Sequence, residues 1–384
     1  MSEVSLSRYF DHNVTSPLRG AARQAWEDSS DRAWSNPSSP HAGGVRCRAL
    51  LEDLRGHIAS VMGGIPRRWA FTSGATEANN TIFAYFRQRL GSRGKVAISS
   101  VEHPSVTEAA KAWFGENVVE LPVDREGKLL LDALSETLHE VKPDLVSVMA
   151  ANNETGVVQP WAEVRAFCRE ARVPFHCDAT QWIGRMPCEK LGSCDFLSGS
   201  FHKLGGPKGV GFLQTSEEEA ASFLFGGEQE NGMRAGTENV PAIHSSSVAL
   251  EEASMKLVDG AIRDRFEDLL EQLVPGVQIL GKGVERLPPL STFLLPNFEN
   301  LRWVNRLDRL GFAVSTGSAC ATGHEGSSHV LAAMGRGADE ARRVIRVSGG
   351  WTNASEDWDA LANAFGTVFR ELLDQEGDSQ TIAL

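Results

Sequence analysis

The sequence predicts an α/β protein: a mostly parallel sheet covered by helices on both faces, followed by a smaller α/β unit. Nearly continuous apolar strands alternate with stretches of helical periodicity through the first two thirds of the chain, a pattern typical of parallel sheets. The last third repeats the alternation with shorter elements, and we expect it to act as a lid. At 384 residues and 41% hydrophobic, the chain is long enough for two domains.

Apolar spacing and turn residues place the elements of the larger unit. The predicted strands span residues 95–99, 144–149, 173–177 and 208–215, and an apolar stretch at 194–197 precedes a glycine-rich loop. The predicted helices are one opened by Pro17, then 45–61, one beginning at Ala75, 131–141, 161–171, and a single long helix over 238–273 that links the two units. Polar ligands are expected at the carboxyl ends of the strands.

The smaller unit is predicted from residue 251 onward. Its expected strands are 277–280, 291–295 and 343–347, and its expected helices are 301–310, 328–334 and 355–373. The predicted division is therefore a large domain at 16–250 and a small domain at 251–384, with the segment 1–15 associated with the small domain.

Charge and cysteine content exclude several classes of protein. The chain has 38 Lys and Arg residues against 50 Asp and Glu residues, a net charge of -12, and no block of one sign. This negative charge disfavours binding to nucleic acid or anionic membranes and favours a small-molecule substrate. No apolar run is long enough for a signal peptide core or a membrane span, so we expect a cytoplasmic protein. The six cysteines form no CxxC pair, and no metal site or disulfide framework is predicted. All but Cys320 are expected to be buried.

Residues 198–209 place Lys203 between a Ser/His pair and a run of glycines. A lysine in this setting fits a pyridoxal phosphate site, where the amine forms a Schiff base and neighbouring hydroxyl and imidazole groups hold the phosphate. The alternative is a solvated lysine in a glycine-rich turn.

Two earlier motifs could complete such a site. Residues 71–80 predict a strand end, a tight glycine turn and a helix opened by Ala75 and Thr76, whose free N–H groups would attract phosphate. The alternative is an ordinary helix cap. His103 follows a strand and precedes Pro104, so it could lie over a planar ring and exchange protons, or it could simply bond the backbone of its loop.

Further candidates lie at later strand ends. Asp178 ends the strand at 173–177, where its carboxylate could face a pyridinium nitrogen or cap the next helix. Cys320 lies among small residues at 315–323, which favours an accessible thiol, although free cysteines are usually buried. Arg346 ends the last strand, and the long polar loop at 226–237 suggests a functional segment that crosses a dimer axis.

Eight motifs occur in one order along the chain. They lie at 71–77, 102–103, 152–159, 176–181, 200–209, 232–237, 317–320 and 345–348. Together they resemble the cysteine desulfurases of the class V aminotransferase superfamily, which supply sulfur for iron-sulfur clusters and thio-modification, and the resemblance spans almost the whole chain.

The resemblance implies a fold type I enzyme with a seven-stranded, mostly parallel sheet in the large domain. It implies pyridoxal 5'-phosphate as cofactor, a homodimer, L-cysteine as substrate, L-alanine as product, and a persulfide on Cys320 for a sulfur-acceptor protein of unknown identity. The implied cofactor residues are Lys203 for the covalent linkage, His103 for ring stacking, Asp178 for the ring nitrogen, Gln181 for the ring oxygen, and Ala75, Thr76, Ser200, His202 and the partner's Thr237 for the phosphate. Asn153 and Arg346 would hold the substrate carboxylate.

Three departures from the family pattern bear on substrate preference and loop behaviour. They are Val14 and Ser16 in the opening motif, Ser327 before the helix at 328–334, and His324-Glu325 in the loop after Cys320, which resembles the group with an extended mobile loop. The chain has no longer tail of the kind that docks a cluster scaffold, so that partner is not expected. The alternatives are a selenocysteine lyase, a sulfoxide lyase or a transaminase on the same fold, or a sulfur-relay protein with reduced catalysis.

Overall fold

The computed structural model describes residues 5–216, 222–317 and 328–382, with side chains up to residue 376. Its main feature is a seven-stranded sheet of order β1-β7-β6-β5-β4-β2-β3. The strands are β1 Trp69–Thr72, β2 Val96–Ser99, β3 Val118–Leu121, β4 Leu145–Ser147, β5 Phe175–Asp178, β6 Phe196–Ser200 and β7 Gly211–Gln214. The sheet is parallel except for β7, which runs antiparallel to both β6 and β1. The predicted fold class is confirmed.

Helices cover both faces of this sheet. They are α1 Gly20–Arg32, α2 Ala42–Val61, α3 Ala75–Leu90, α4 Pro104–Phe114, α5 Leu131–Glu140, α6 Trp161–Ala171 and α7 Val240–Met255. Strand β2 shows the two faces directly: Ala97 packs in one hydrophobic cluster with α2, α6 and α7, whereas Val96 and Ile98 pack in another with α3 and α4. Alternate residues of a strand point to opposite faces, so both faces are buried.

The smaller unit has its own sheet and core. Strands β8 Gln278–Ile279, β9 Leu290–Leu294 and β10 Val344–Ser348 form an antiparallel sheet of order β10-β9-β8. Its helices are α8 Gly260–Leu273, α9 Asn300–Arg309, α10 His329–Ala333, α11 Ala338–Ala341 and α12 Ser355–Ile382. Phe10 packs in this core with Phe266, Trp358 and Phe365. The proposed domain boundaries remain predictions.

The expected helix start at Pro17 is wrong, because α1 begins at Gly20. The main-chain N–H of Ser16 donates to the His202 carbonyl at 2.9 Å, and that of Arg19 donates to the Gly205 carbonyl at 2.9 Å. These bonds hold the segment extended along the loop that carries Lys203. Long-range backbone hydrogen bonds therefore move the start of the helix to Gly20.

The single helix expected over 238–273 is also wrong. The structure has two helices, α7 and α8, and the second begins where the Asp259 carboxylate accepts a hydrogen bond from the Ala261 N–H at 2.9 Å. An aspartate in this position satisfies one of the free N–H groups of a new helix. The turn before Gly260 therefore separates two elements that apolar spacing alone joins.

Ion pairs and hydrogen bonds attach the loop at 226–237 to the large unit. Glu230 is buried and accepts hydrogen bonds from the Arg55 guanidinium at 2.5 Å and from the Phe71 N–H at 2.8 Å. Arg234, further along the loop, pairs with Glu77 at 3.0 Å in the first turn of α3. The loop is thus tied to β1 and to the helix that follows it.

Two sequence expectations concern the chain's chemistry rather than its fold. Cys47, Cys168, Cys177, Cys188 and Cys194 are free and buried, as predicted. Among the described residues, no helix combines the length and apolar character needed to cross a membrane.

Candidate active site

A cleft of about 700 Å³ opens at the carboxyl edge of the parallel strands. Its lining comes from the segments that follow β1, β2, β4, β5 and β6, and it reaches Arg346 on β10 of the smaller unit. Ligands bind at this edge in open α/β sheets because the loops there converge on one place. The cleft collects most of the predicted site residues: Ala75, Thr76, His103, Asn153, Asp178, Gln181, Ser200, His202, Lys203 and Arg346.

The N-terminus of α3 forms one end of the cleft. The residue before the helix is Gly74, which has no side chain to cap it, so Thr76 is not the ordinary cap considered from the sequence. A Cβ at Gly211 of β7 would lie 2.5 Å from the Gly74 Cα, so only glycine permits this approach of the two segments. Free N–H groups at such a terminus, beside Ser200 and His202, suit an anion.

Asp178 ends β5 at the floor of the cleft. One carboxylate oxygen accepts a hydrogen bond from the Thr180 N–H at 2.9 Å, and the other accepts one from the Asn79 amide at 2.9 Å. Burial alone would raise the pKa of Asp178, but these bonds outweigh it, and the pKa lies below its ordinary value. The group is therefore a buried carboxylate, suited to a protonated ring nitrogen, and no helix follows it to be capped.

Behind Asp178, polar side chains continue through the sheet. Asn79 accepts from the Ser198 hydroxyl at 2.6 Å, and Ser198 contacts the His176 ring at 3.0 Å. The other nitrogen of His176 contacts Ser147 at 2.8 Å. This chain of bonds fixes the amide that holds the carboxylate.

His103 lies at the start of α4, facing the cleft. Its Nδ1 accepts a hydrogen bond from the Ser105 N–H at 3.1 Å, so the neutral ring carries its proton on Nε2. Burial and the neighbouring positive charge of Lys203 lower the pKa of His103 to about 4. At neutral pH the ring is uncharged; its bond to the Ser105 N–H is the backbone contact considered from the sequence, and stacking on a planar ring stays a prediction.

Lys203 is half-buried in the cleft and follows β6 in a single helical turn, Phe201–Lys203. Its main-chain carbonyl accepts a hydrogen bond from the Ser16 hydroxyl at 2.8 Å, so one of the departures from the family pattern supports the lysine directly. Gly205, just beyond, has φ +96, and a Cβ there would lie 2.7 Å from the Trp351 ring. The lysine is therefore held by a packed loop, not by a solvated turn.

Arg346 reaches the cleft from the smaller unit and is 2% exposed. Its guanidinium donates to the Asn153 carbonyl and to the Gly317 carbonyl, both at 3.0 Å, and pairs with the Asp11 carboxylate at 3.0 Å. Burial raises the pKa of Asp11, although Arg346 opposes this effect. The arginine is thus oriented by Asp11 in the N-terminal segment and by two loop carbonyls, those of Asn153 and Gly317.

Four buried polar atoms in the lining have no partner among the described residues: Asn13 Oδ1, Asn153 Oδ1, Thr180 Oγ1 and Arg346 Nε. Buried polar atoms are almost always hydrogen-bonded, so this group points to a polar ligand. An anion-binding helix end, a lysine, a carboxylate and a flat neutral imidazole match the phosphate, aldehyde, ring nitrogen and ring of pyridoxal phosphate. The described residues contain no cluster of His, Cys, Asp or Glu suited to a metal ion.

The cleft lining formed by the described residues does not include two of the predicted site residues. Thr237 is exposed and does not line the cleft, so its predicted contact with the partner subunit's phosphate stays a prediction. Cys320 lies outside the described residues, as do Ser327, His324 and Glu325.

Sequence reasoning missed three side chains at the cleft. Asn79 holds Asp178 from α3, and Arg185 lies beneath Gln181 and Lys203. His329, at the start of α10, lines the cleft and donates Nε2–H to the Glu102 carbonyl at 2.8 Å. His329 lies in the helix predicted at 328–334, but nothing local in the sequence marks Asn79 or Arg185 as a site residue.

The cleft at the strand ends is lined by residues of both the larger and the smaller unit. This arrangement is that of an α/β enzyme with its ligand site between two units. Residues 8–361 match the family described as Aminotransferase class-V, and the chain belongs to that family. Enzymes of this family use pyridoxal 5'-phosphate. The recognition made from the sequence motifs is confirmed.

The individual relatives have more specific descriptions than the family as a whole. The chain is 35% identical over 375 residues to the cysteine desulfurase IscS of Dictyoglomus turgidum, covering 95% of each protein. Among solved structures it is similar to a NifS-like protein, with a TM-score of 0.85, 31% identity and coverage of 94% of this chain and 99% of the other. It is also similar to SspA in complex with cysteine, with a TM-score of 0.77, 27% identity and coverage of 90% and 100%.

Proposed function

We propose that this protein is a pyridoxal 5'-phosphate-dependent cysteine desulfurase. It would remove sulfur from L-cysteine, release L-alanine and carry the sulfur as a persulfide on Cys320 for an acceptor protein. The observation that carries the proposal is the single cleft that brings Lys203, His103, Asp178 and Arg346 together with unpaired polar atoms. The cysteine desulfurases among the relatives support the same activity.

When bound, the cofactor supplies an electron-withdrawing ring that takes up the electron pairs released at the substrate carbons. Lys203 would hold it covalently and move protons at the substrate, and Asp178 would hold the proton on the ring nitrogen. His103, uncharged at neutral pH, would lie against the ring. The N–H groups of Ala75 and Thr76, with Ser200 and His202, would bind the phosphate.

The sulfur transfer balances without an outside oxidant or reductant. The Cys320 thiolate attacks the sulfur of the substrate, forming an S–S bond as the substrate C–S bond breaks. The electron pair of that bond stays with the carbon, which takes a proton to become the methyl group of L-alanine. The acceptor protein then takes the outer sulfur from Cys320.

The experiment that tests this function compares three substrates. Purified protein is incubated with L-cysteine, L-selenocysteine or cysteine sulfinate in the presence of excess thiol reductant, which releases the outer sulfur of the persulfide as sulfide, and alanine and released sulfide, selenide or sulfite are measured. We expect equal amounts of alanine and sulfide from L-cysteine. Turnover of selenocysteine or sulfinate alone would favour a lyase on the same fold.

Arg346 should orient the substrate carboxylate, because a guanidinium offers two parallel donors that lysine cannot reproduce. Arg346→Lys should raise the KM for L-cysteine about tenfold or more and leave cofactor binding intact. The matched control is Arg343→Lys, whose side chain bonds the carbonyls of Leu295 and Pro296 away from the cleft. Steady-state kinetics check this, and an unchanged KM in Arg346→Lys would remove the residue from the substrate site.

We also propose a homodimer in which Thr237 reaches the partner subunit's phosphate. Its support is the exposed loop at 226–237, anchored by Glu230 and preceded by Phe225, which is 77% exposed. The adjacent Leu224 is 38% exposed, and contiguous apolar side chains on a surface mark an interface. Thr237→Ala should speed cofactor loss on dialysis, whereas Thr237→Ser should not. A monomer in sedimentation experiments that retains full activity would contradict the proposal.

A further inference from the structure

Arg185 is a buried cation beneath the cleft, in the turn region after β5, with 7% of its surface exposed. No carboxylate of the described residues pairs with it, and its neighbour Arg346 is also positive. Burial, followed by the charge of Arg346, lowers the pKa of Arg185 to about 10, so it stays charged at neutral pH. A buried charge without a counter-ion is costly, so an anion is expected nearby.

The hydrogen bonds of Arg185 all go to the residues under the cleft. Nη1 donates to the side-chain oxygen of Gln181 and to its main-chain carbonyl at 3.1 Å. Nη2 donates to the His12 carbonyl at 3.1 Å and to the Lys203 carbonyl at 3.3 Å. One side chain therefore joins the peptide of Lys203 to the amide of Gln181.

These contacts settle which way the Gln181 amide points. A guanidinium only donates, so the atom that meets Arg185 is Oε1. Nε2, on the other branch, donates one hydrogen to the Asn13 carbonyl at 3.0 Å, and a carbonyl only accepts. Both neighbours thus require the same orientation, and the second N–H of this amide is left for a ligand of the cleft that Gln181 lines.

We propose that Arg185 is a positioning residue that fixes Gln181 as a hydrogen-bond donor to the negatively charged ring oxygen of the cofactor. This inference rests on the cofactor of the proposed function. In pyridoxal phosphate, that oxygen and the aldehyde carbon that joins lysine sit on neighbouring ring atoms. Arg185 donates hydrogen bonds to Gln181, which would bind the ring oxygen, and to the main-chain carbonyl of Lys203, whose amine would join the aldehyde carbon. Its positive charge would balance the negative charge of the ring oxygen.

The test is calorimetric titration of the cofactor-free protein with pyridoxal 5'-phosphate and with its 3-deoxy analogue, which lacks the ring oxygen. Arg185→Met should weaken binding of the true cofactor about tenfold or more and change analogue binding by no more than about twofold. Arg185→Lys should lose less, because it keeps the charge. Gln181→Met should show the same selectivity, and the double variant should be little worse than either single one.

The matched control is Arg286→Met, which removes an arginine that is also 7% exposed but is paired with Glu267 at 2.7 Å, outside the cleft lining. Thermal melting of the cofactor-free forms reports the structural cost of each change, and Arg185→Lys serves if Arg185→Met does not fold. Equal weakening for cofactor and analogue, or none for either, would overturn the proposal. The titration uses no cysteine, so a protein with the expected selectivity but no sulfide release would refute the desulfurase and leave the role of Arg185 standing.

Discussion

Lys203→Ala should give a colourless protein that releases almost no sulfide from L-cysteine. The lysine amine is the group that would join the cofactor covalently and then move protons at the substrate, so its loss removes two functions together. We expect the rate of sulfide release to fall by roughly 10³-fold or more. Visible absorption before and after borohydride, together with a sulfide assay, measures both effects.

The control for this change is Lys190→Ala, at an exposed lysine outside the cleft. It should keep a visible band that borohydride removes. A reducible band that persists in Lys203→Ala would assign the linkage to another residue.

Cys320→Ser should separate cofactor chemistry from sulfur transfer. The cofactor residues of the cleft are untouched, so the variant should still bind pyridoxal phosphate and respond spectrally to L-cysteine. Sulfide release should fall by roughly 10³-fold or more, because a serine hydroxyl cannot take sulfur as a thiolate does. Absorption spectra and a sulfide assay on the same sample check the two halves of this expectation.

Cys188→Ser is the matched control. The Cys188 thiol donates to the Met186 carbonyl at 3.2 Å, a bond that a serine hydroxyl can also make. This variant should keep wild-type turnover. Wild-type turnover by Cys320→Ser would instead favour a lyase, in which sulfur leaves without a cysteine acceptor.

The sequence predicted those parts of the site that lie in short, contiguous motifs. The strand, glycine turn and helix around Ala75 appear as expected, with strand β1 ending at Thr72 and α3 beginning at Ala75. Asp178 ends one strand of the parallel sheet, and Lys203 follows another. Their convergence on one cleft follows from the common edge at which parallel strands end.

The parts of the fold and site that the sequence did not predict depend on contacts between segments distant in the chain. Arg55 and Glu230 are 175 positions apart, and Asp11 and Arg346 are 335 apart, so neither pair leaves a local pattern. Arg185 bonds main-chain carbonyls of His12 and Lys203, and a carbonyl is present at every residue. The late start of α1 has the same cause, since the N–H groups of Ser16 and Arg19, which precede the helix, donate to carbonyls of the loop that carries Lys203.

The measurement that tests the central claim most directly is mass spectrometry of the wild-type protein after a single turnover of L-cysteine. The account predicts one added sulfur atom on the peptide that contains Cys320, removable by a thiol reductant, together with one equivalent of L-alanine. An adduct on the peptide of Cys177 or Cys188, or alanine formed with no adduct on any cysteine, would contradict it.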